Sequence, residues 1–311
     1  TDGSNNMEFS HIPVLFNETI DSLNIKPDGL YVDCTAGGGG HSRAIAEKLT
    51  TGRLISIDRD PDAIKVLNER LGIYPQVTVV HNTFNNIKEI LNGERADGII
   101  ADLGVSSFQL DEAERGFSFH KDAPLDMRMS KQGTSAKDLV NTLSVGELTR
   151  ILRDYGEEKY ANRIANNIVA AREKKEIETT FELIDIIKSS MPQKAMRDSH
   201  PARRTFQALR IEVNGELDQL NTALDDMFDC LKVGGILSII TFHSLEDRMV
   251  KQRFNSFAQG CTCPKEFPIC VCGKTPRGKV TIKGLAPSEE ELSNNSRSHS
   301  ARLRSIEKIR D

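Results

Sequence analysis

The chain has 311 residues, of which 38% are hydrophobic, a net charge of −4 and no tryptophan. That length suggests one large domain or two modest ones, with enough apolar content for a core. Six cysteines spread over so long a chain argue against a secreted disulfide scaffold. The sequence also contains neither a leader-type apolar segment nor a long apolar run, so the expectation is a soluble, cytoplasmic protein with no membrane partner. Thr1 to Asn6 precede Met7 and read as an expression remnant.

Leu30 to Val32 is a short apolar run of strand type, followed by Asp33-Cys34-Thr35-Ala36 and the run Gly37-Gly38-Gly39-Gly40. From Ser42 to Leu49 the pattern is helical, with Ile45 and Leu49 four apart. Strand, glycine turn and helix form the unit that brings backbone N–H groups and a helix N-terminus to a ligand. Leu54 to Ile57 reads as a second strand ending at Asp58, where an acid can accept both ribose hydroxyls of a nucleoside. Asp60-Pro61 opens a helix with an N-cap acid and a first-turn proline, and Ile64, Leu67 and Leu71 make its stripe. Val77 to Val80 is a third strand, leading to Phe84, and Gly98 to Gly104 is a fourth. Strands alternating with helices imply a parallel, doubly wound α/β sheet.

The alternation stops between Asp111 and Ile211. Ser144-x-x-Glu147 and Thr179-x-x-Glu182 read as capping boxes there, and Leu148, Ile151, Leu152 and Tyr155 line one helix face before Gly156. A helix near Glu216 to Leu231, a turn at Lys232 to Gly235, a fifth strand from Ile236 to Phe242 and a helix from His243 follow. Leu303 to Ile309 reads as the last strand. The expected organisation is a discontinuous cofactor-binding domain, 7–110 with 212–311, holding an all-helical insertion, 111–211, that recognises substrate.

The glycine run does not fit the dinucleotide fingerprint Gly-x-Gly-x-x-Gly/Ala: from Gly37 the third position is Ser42, and from Gly38 it is Arg43. A carboxylate at Asp33 would repel a pyrophosphate but suits a ligand carrying an amine and a sulfonium, such as S-adenosylmethionine. The plainer alternative is a glycine turn that merely lets strand and helix pack closely.

Several longer motifs carry a resemblance. They are Gly39-Gly40-His41-Ser42, Ile57-Asp58-Arg59-Asp60-Pro61, Asp102-Leu103-Gly104-Val105-Ser106-Ser107 and Glu114-Arg115-Gly116-Phe117-Ser118-Phe119. Pro124-Leu125-Asp126-Met127-Arg128, His200-Pro201-Ala202-x-Arg204-Thr205-Phe206-Gln207 and Phe242-His243-Ser244-Leu245-Glu246-Asp247-Arg248 complete the set. From His11 onward the chain resembles the bacterial 16S ribosomal RNA cytosine-N4 methyltransferase family, known as RsmH or MraW. The resemblance implies a Rossmann-like, class I S-adenosylmethionine-dependent methyltransferase fold with an inserted helical domain. It implies methylation of N4 of the decoding-centre cytosine, position 1402, with 16S rRNA or the small ribosomal subunit as partner. It places cofactor contacts on Gly39, Gly40, His41, Asp58, Phe84, Asp102 and Gln109.

For the chemistry, Asp102 is the first candidate to accept the N–H bonds of the cytosine amine, or to anchor the cofactor beside it. Ser106 or Ser107 could supply a second acceptor, and His243 could take the proton after transfer. Read without the family, a helix or turn cap is the lesser alternative for Asp102, and core packing is at least an equal one for Phe84. Lys194, Arg197, Arg203, Arg204 and Arg210 cluster around His200 with Phe206 interleaved, and Lys274, Arg277, Lys279 and Lys283 form a second basic group. Such patches suit single-stranded RNA, the alternative being a solvated helix face. Cys261-x-Cys263 and Cys270-x-Cys272 could hold zinc, although one-residue spacings strain a chelate and favour reduced thiols in a loop. Rival functions are an NAD(P)-dependent oxidoreductase and a non-catalytic RNA-binding protein with a cysteine-bound metal. The oligomeric state, a dimer included, is left open.

Overall fold

β1 (Leu30–Asp33) is buried at all four positions, as a central parallel strand should be. In the computed structural model, which describes residues 12–295 and 298–311, it is an interior strand of a seven-stranded sheet. Thr1 to Asn6 and His11 lie outside the described residues. Ahead of β1 stands α1 (Phe16–Ser22), too short for its periodicity to show in the sequence. After β1 come α2 (Gly40–Lys48), β2 (Arg53–Asp58), α3 (Pro61–Leu71), β3 (Val77–His81), α4 (Ile87–Leu91) and β4 (Ala96–Asp102). Asp60 caps α3 as its position suggests, its side chain accepting from the Asp62 amide at 3.0 Å.

The chain then forms α5 (Ser107–Asp111), α6 (Ala136–Thr142), α7 (Val145–Asp154), α8 (Ala161–Lys174), α9 (Thr180–Ser189) and α10 (Arg203–Asn214). Ser144 and Glu147 make the reciprocal capping box. Thr179 makes half of one: its hydroxyl accepts from Glu182, but the Glu182 carboxylate accepts from the Glu178 amide at 2.8 Å. The sheet is completed by α11 (Glu216–Asp229), β5 (Leu231–Thr241), α12 (Ser244–Ala258), β6 (Gly278–Leu285), α13 (Glu289–Asn294) and β7 (Arg302–Lys308).

Strand order is β3-β2-β1-β4-β5-β7-β6, parallel except that β7 runs antiparallel to both neighbours. This is the Rossmann-like arrangement of class I methyltransferases. Side chains alternate across the sheet. Val32, Ile99, Ala101, Leu237 and Ile239 meet α11 and α12 through Leu224, Phe228 and Phe254 on one face. Tyr31, Leu54, Ile100 and Ile236 meet Ile20 and Ile45 on the other.

Two details depart from the sequence expectation. Lys232 to Gly235, expected as a turn, lies inside β5: Leu231 pairs with Ala96 and Ile236 with Gly98, so the extra residues bulge outward. β6 was not foreseen, because its alternate burial is shallow and its lysines mask the period. Lys279 and Lys283 stand on this edge strand, where lysine discourages pairing with another sheet edge.

Two compact units result, one running up to Gly104 and again from Gln219 to Asp311, the other Val105–Asp218. The divisions therefore fall outside the expected 110/111 and 211/212. α10 carries on past Ile211 until Gly215 ends it in the left-handed conformation, φ +59. Within Val105–Asp218, the core joins Leu148, Ile151, Ile164, Ile168, Leu183 and Leu209. The motif from Pro124 to Arg128 is held by buried polar ties: Asn214 donates to the Met127 carbonyl and accepts from the Met129 amide, both at 2.9 Å. Arg115 donates to the carbonyls of Arg128 and Met129.

Candidate active site

Asp33, Asp58 and Asp102 are the last residues of β1, β2 and β4. These strands are neighbours in the order β2-β1-β4, so three carboxylates stand side by side at one sheet edge. The chain leaves β1 for β2 on one side and returns to β4 on the other, making the topological switch where open α/β sheets bind ligands.

The glycine run shapes the rim. Gly37 and Gly39 adopt φ +51 and +87, which side chains other than glycine's rarely accept. A Cβ on Gly40 would lie 2.9 Å from Pro13 Cγ. The Gly37 amide donates to Asp58 Oδ2 and the Asp60 amide to Asp58 Oδ1, both at 2.8 Å. Asp58 is thus fixed in orientation with lone pairs left for a ligand.

Asp33 accepts from Ser42 Oγ at 2.7 Å and from the Thr35 amide at 3.2 Å. Burial outweighs these bonds and pushes its carboxyl up to about 6. Thr35 Oγ1 accepts from the Asp102 amide at 2.6 Å, tying the ends of β1 and β4 together. Burial, then the nearby carboxylates of Asp33 and Glu246, push Asp102 up to about 8. Asp58 is raised as well, chiefly by burial.

His41, at the start of α2, is 4% exposed and stacks on Phe16 at 5.6 Å between ring centroids. Its Nδ1 lies 3.8 Å from Asp102 Oδ2, and its buried Nε2 has no hydrogen-bond partner. Burial lowers its pKa to about 4, so the ring is neutral at pH 7. No described Lys or Arg pairs with Asp33 or Asp102. Around Asp33 and Asp102 this corner therefore holds carboxyl groups and a neutral imidazole, while Arg59 bears on Asp58. Phe84 opens a short 3₁₀ turn after β3 and is partly buried against the main core, so packing accounts for much of its position.

His243 follows β5 as the N-cap of α12. Its Nδ1 accepts from the Glu246 amide at 3.4 Å, and its Nε2 is 3.3 Å from Glu246 Oε2. The lone pair offered by sequence as a proton acceptor is the one that caps the helix. Glu246, only 3% exposed, also accepts from the Phe242 amide. Glu246 and Thr35 were missed as site residues, though both lie in quoted motifs and the His-x-x-Glu spacing of a cap was readable.

In the other unit, Ser106 caps α5 and forms a reciprocal box with buried Gln109. Ser107 is half-buried in the first turn. Lys194, Arg197, Arg203 and Arg204 are exposed, and Phe119 stacks on His200 at 4.4 Å and meets Phe206 edge-on. Arg204 donates to the Glu157 carbonyl at 2.8 Å. Arg210 is turned inward, its Nε donating to Glu216 at 3.0 Å. Of the second basic group, Arg277 is paired with Asp229 and lies over Phe228.

The family model of the MraW methylase family matches residues 8–309. The chain belongs to the MraW methylase family. Similar relatives include the ribosomal RNA small subunit methyltransferase H of Clostridium botulinum, 57% identical over 309 residues, covering 97% of this chain and 100% of its own. Another is that of Lachnospira eligens, 55% identical over 311 residues with 97% and 99% covered. An rRNA methylase structure from Streptococcus thermophilus is far more distant, at 11% identity and a TM-score of 0.43 over 95% of this chain and 94% of its own. No described helix is long and apolar enough to cross a membrane.

Proposed function

We propose that this MraW-family methylase transfers a methyl group from S-adenosylmethionine to N4 of the decoding-centre cytosine in 16S rRNA, in the cytoplasm, on the small ribosomal subunit. The observation that carries the reading is the row Asp58, Asp33, Asp102 at the carboxyl ends of three adjacent strands, with Asp33 and Asp102 pushed well up and paired with no described Lys or Arg. Such a corner suits a nucleoside bearing a sulfonium and an amine and opposes a pyrophosphate, which weighs against an oxidoreductase. The buried, unpartnered Nε2 of His41 is a second fit, since a buried ring nitrogen without a partner is costly.

When bound, S-adenosylmethionine supplies an electrophilic methyl group on a sulfonium. Asp58 holds the ribose hydroxyls, and Gly39 and Gly40 let the backbone come close. His41 offers one hydrogen bond, Asp33 and Asp102 offset positive charge, and Phe84 adds a further cofactor contact. The cytosine amine is a weak nucleophile because its lone pair is delocalised into the ring. Asp102, once ionised, accepts its N–H bond and localises that lone pair. His243 serves as the cap that shapes the turn after β5, and the proton released from the methylated amine passes to solvent, because a cationic amine gives it up readily. Lys194, Arg197, Arg203 and Arg204 neutralise RNA phosphates, and Phe119 and His200 offer faces to unstacked bases.

A single-turnover assay on unmodified small subunits, with nucleoside mass spectrometry, tests this reading. Wild-type protein should yield one N4-methylcytidine per subunit, and Asp102→Asn should lower the rate by ~10²-fold or more while remaining folded. Methylation at another atom, or near-wild-type rates for Asp102→Asn, would overturn the respective part. Naked 16S rRNA in parallel separates the two substrate forms.

A further inference from the structure

The stretch from Gln259 to Arg277, between α12 and β6, contains no helix or strand and no buried residue. Irregular connections of this length are uncommon in compact domains unless they have a task. Its large apolar side chains point outward: Phe267 is 50% exposed, Ile269 75% and Val271 74%. Packing therefore does not order this loop.

Cysteine is normally a buried residue, and Cys34 and Cys230 obey that rule. Cys261, Cys263, Cys270 and Cys272 break it, being exposed or half-exposed, yet their sulfurs all lie within 4.8 Å of one another. Successive separations are 3.7 Å for Cys261–Cys272, 3.4 Å for Cys272–Cys270 and 3.9 Å for Cys270–Cys263. Four sulfurs bonded tetrahedrally to one ion at ~2.3 Å stand ~3.8 Å apart, whereas a disulfide needs ~2.0 Å. The tetrad has the spacing of the first arrangement.

The one-residue spacing, which counted against a chelate in the sequence, still lets Cys270 and Cys272 bring their sulfurs within 3.4 Å, and a turn brings the two pairs together. The Phe267 amide donates to the Pro264 carbonyl at 3.1 Å, reversing the chain so that the second pair faces the first. Val271 then donates its amide to Cys263 Sγ at 3.3 Å, a bond that favours a sulfur carrying negative charge. Lys265 lies between the two cysteine pairs in sequence and Lys274 just after the second.

We propose that Cys261, Cys263, Cys270 and Cys272 bind one Zn²⁺ as a closed, structural tetrathiolate site that orders the loop leading into β6. Binding converts four thiols to thiolates and releases four protons, leaving a site of net charge −2 with no open position for substrate. A cluster of several irons would spread its thiolates over separate metal atoms and hence further apart. β6 runs parallel to β5, since both are antiparallel to the strand between them, so its first residue lies at the amino edge of the sheet. Asp33, Asp58 and Asp102 lie at the carboxyl edge, and the metal plays no part in methyl transfer.

The test is metal analysis of the full chain purified under reducing conditions without chelator. One zinc per chain is expected, released by an organomercurial. Replacement by Co²⁺ should give the intense visible bands of a tetrahedral tetrathiolate. Cys263→Ser with Cys270→Ser should lose both signals while keeping S-adenosylmethionine affinity within about twofold. Hydrogen exchange after metal removal should rise at 259–277 and stay unchanged at β1 and β4. Substoichiometric zinc after incubation with equimolar Zn²⁺, iron in its place, or two disulfides by mass spectrometry would each overturn the proposal. The wild-type metal content decides the matter even if the double variant fails to fold.

Discussion

His41 Nδ1 and Asp102 Oδ2 are 3.8 Å apart, yet the two groups do not form an ion pair near neutrality. His41 is held down to about 4 and Asp102 up to about 8, so between these values both are uncharged. A cationic ligand changes that balance, because it favours the ionised carboxylate and lowers its pKa.

S-adenosylmethionine binding at pH 7 should therefore release up to one proton, and affinity should rise with pH until it levels near 8. Calorimetry in buffers of different ionisation enthalpy measures the release directly. In Asp102→Asn it should vanish. Proton-neutral binding by the wild type would mean that Asp102 does not face the positive charge.

Stability without ligand should show the opposite slopes of the two groups. The lowered His41 binds its proton more weakly folded than unfolded, so its contribution is present above pH 6.5 and lost as pH falls toward 4. That loss amounts to about 3 kcal/mol at most. Asp102 is raised, so stability is lost as pH climbs from about 4 through 8. Thermal melts of His41→Gln should be flatter on the acid side, and Asp102→Asn should melt higher than wild type at pH 8–9. Profiles parallel to wild type in both variants would contradict the burial argument.

Asp58→Ala removes an acceptor of two backbone amides as well as the proposed ribose contact. S-adenosylmethionine and S-adenosylhomocysteine should both bind more weakly by about 1–3 kcal/mol, and NADH should bind neither protein. Calorimetric titration checks each ligand; NADH binding without a response to S-adenosylhomocysteine would reverse the cofactor assignment.

His243→Asn substitutes one good helix cap for another. With the cap kept, single-turnover methylation should stay within about threefold of wild type. A hundredfold loss at unchanged cofactor affinity would make the imidazole a proton acceptor after all.

Arg203→Ala with Arg204→Ala should weaken RNA binding and make its salt dependence shallower by about two phosphate contacts. Cofactor affinity should not change. Filter binding across a salt series, with a melt to control for the lost Glu157 contact, distinguishes this from misfolding; equal loss of both affinities would point to the latter.

What could be read from the sequence followed from how strongly local chemistry constrains the chain. The strands ending at Asp33, Asp58 and Asp102 are short apolar runs closed by an acid, and the glycines between β1 and α2 admit few conformations, so these were legible. The bulge at Lys232 to Gly235 was not, because Gly-Gly reads as a turn whether or not the strand continues through it. β6 was hidden since an edge strand needs no apolar face of its own. The roles of His243 and Arg210 depend on Glu246 and Glu216, neighbours a few residues away whose side chains could equally have faced solvent. The cysteine tetrad depended on a turn whose closure no spacing rule states.

The pairing of β4 with β5 joins Gly98 to Ile236 across the whole of the second unit. During synthesis, β4 is made long before its partner, and Ile99 and Ala101 must wait for Leu224, Phe228 and Phe254 to cover them. The helical unit, whose contacts are mostly closer in sequence, can collapse in the interval. Folding of the cofactor-binding sheet thus waits for β5, and truncation between Asp218 and Leu231 should yield a folded insertion beside an open, aggregation-prone sheet edge.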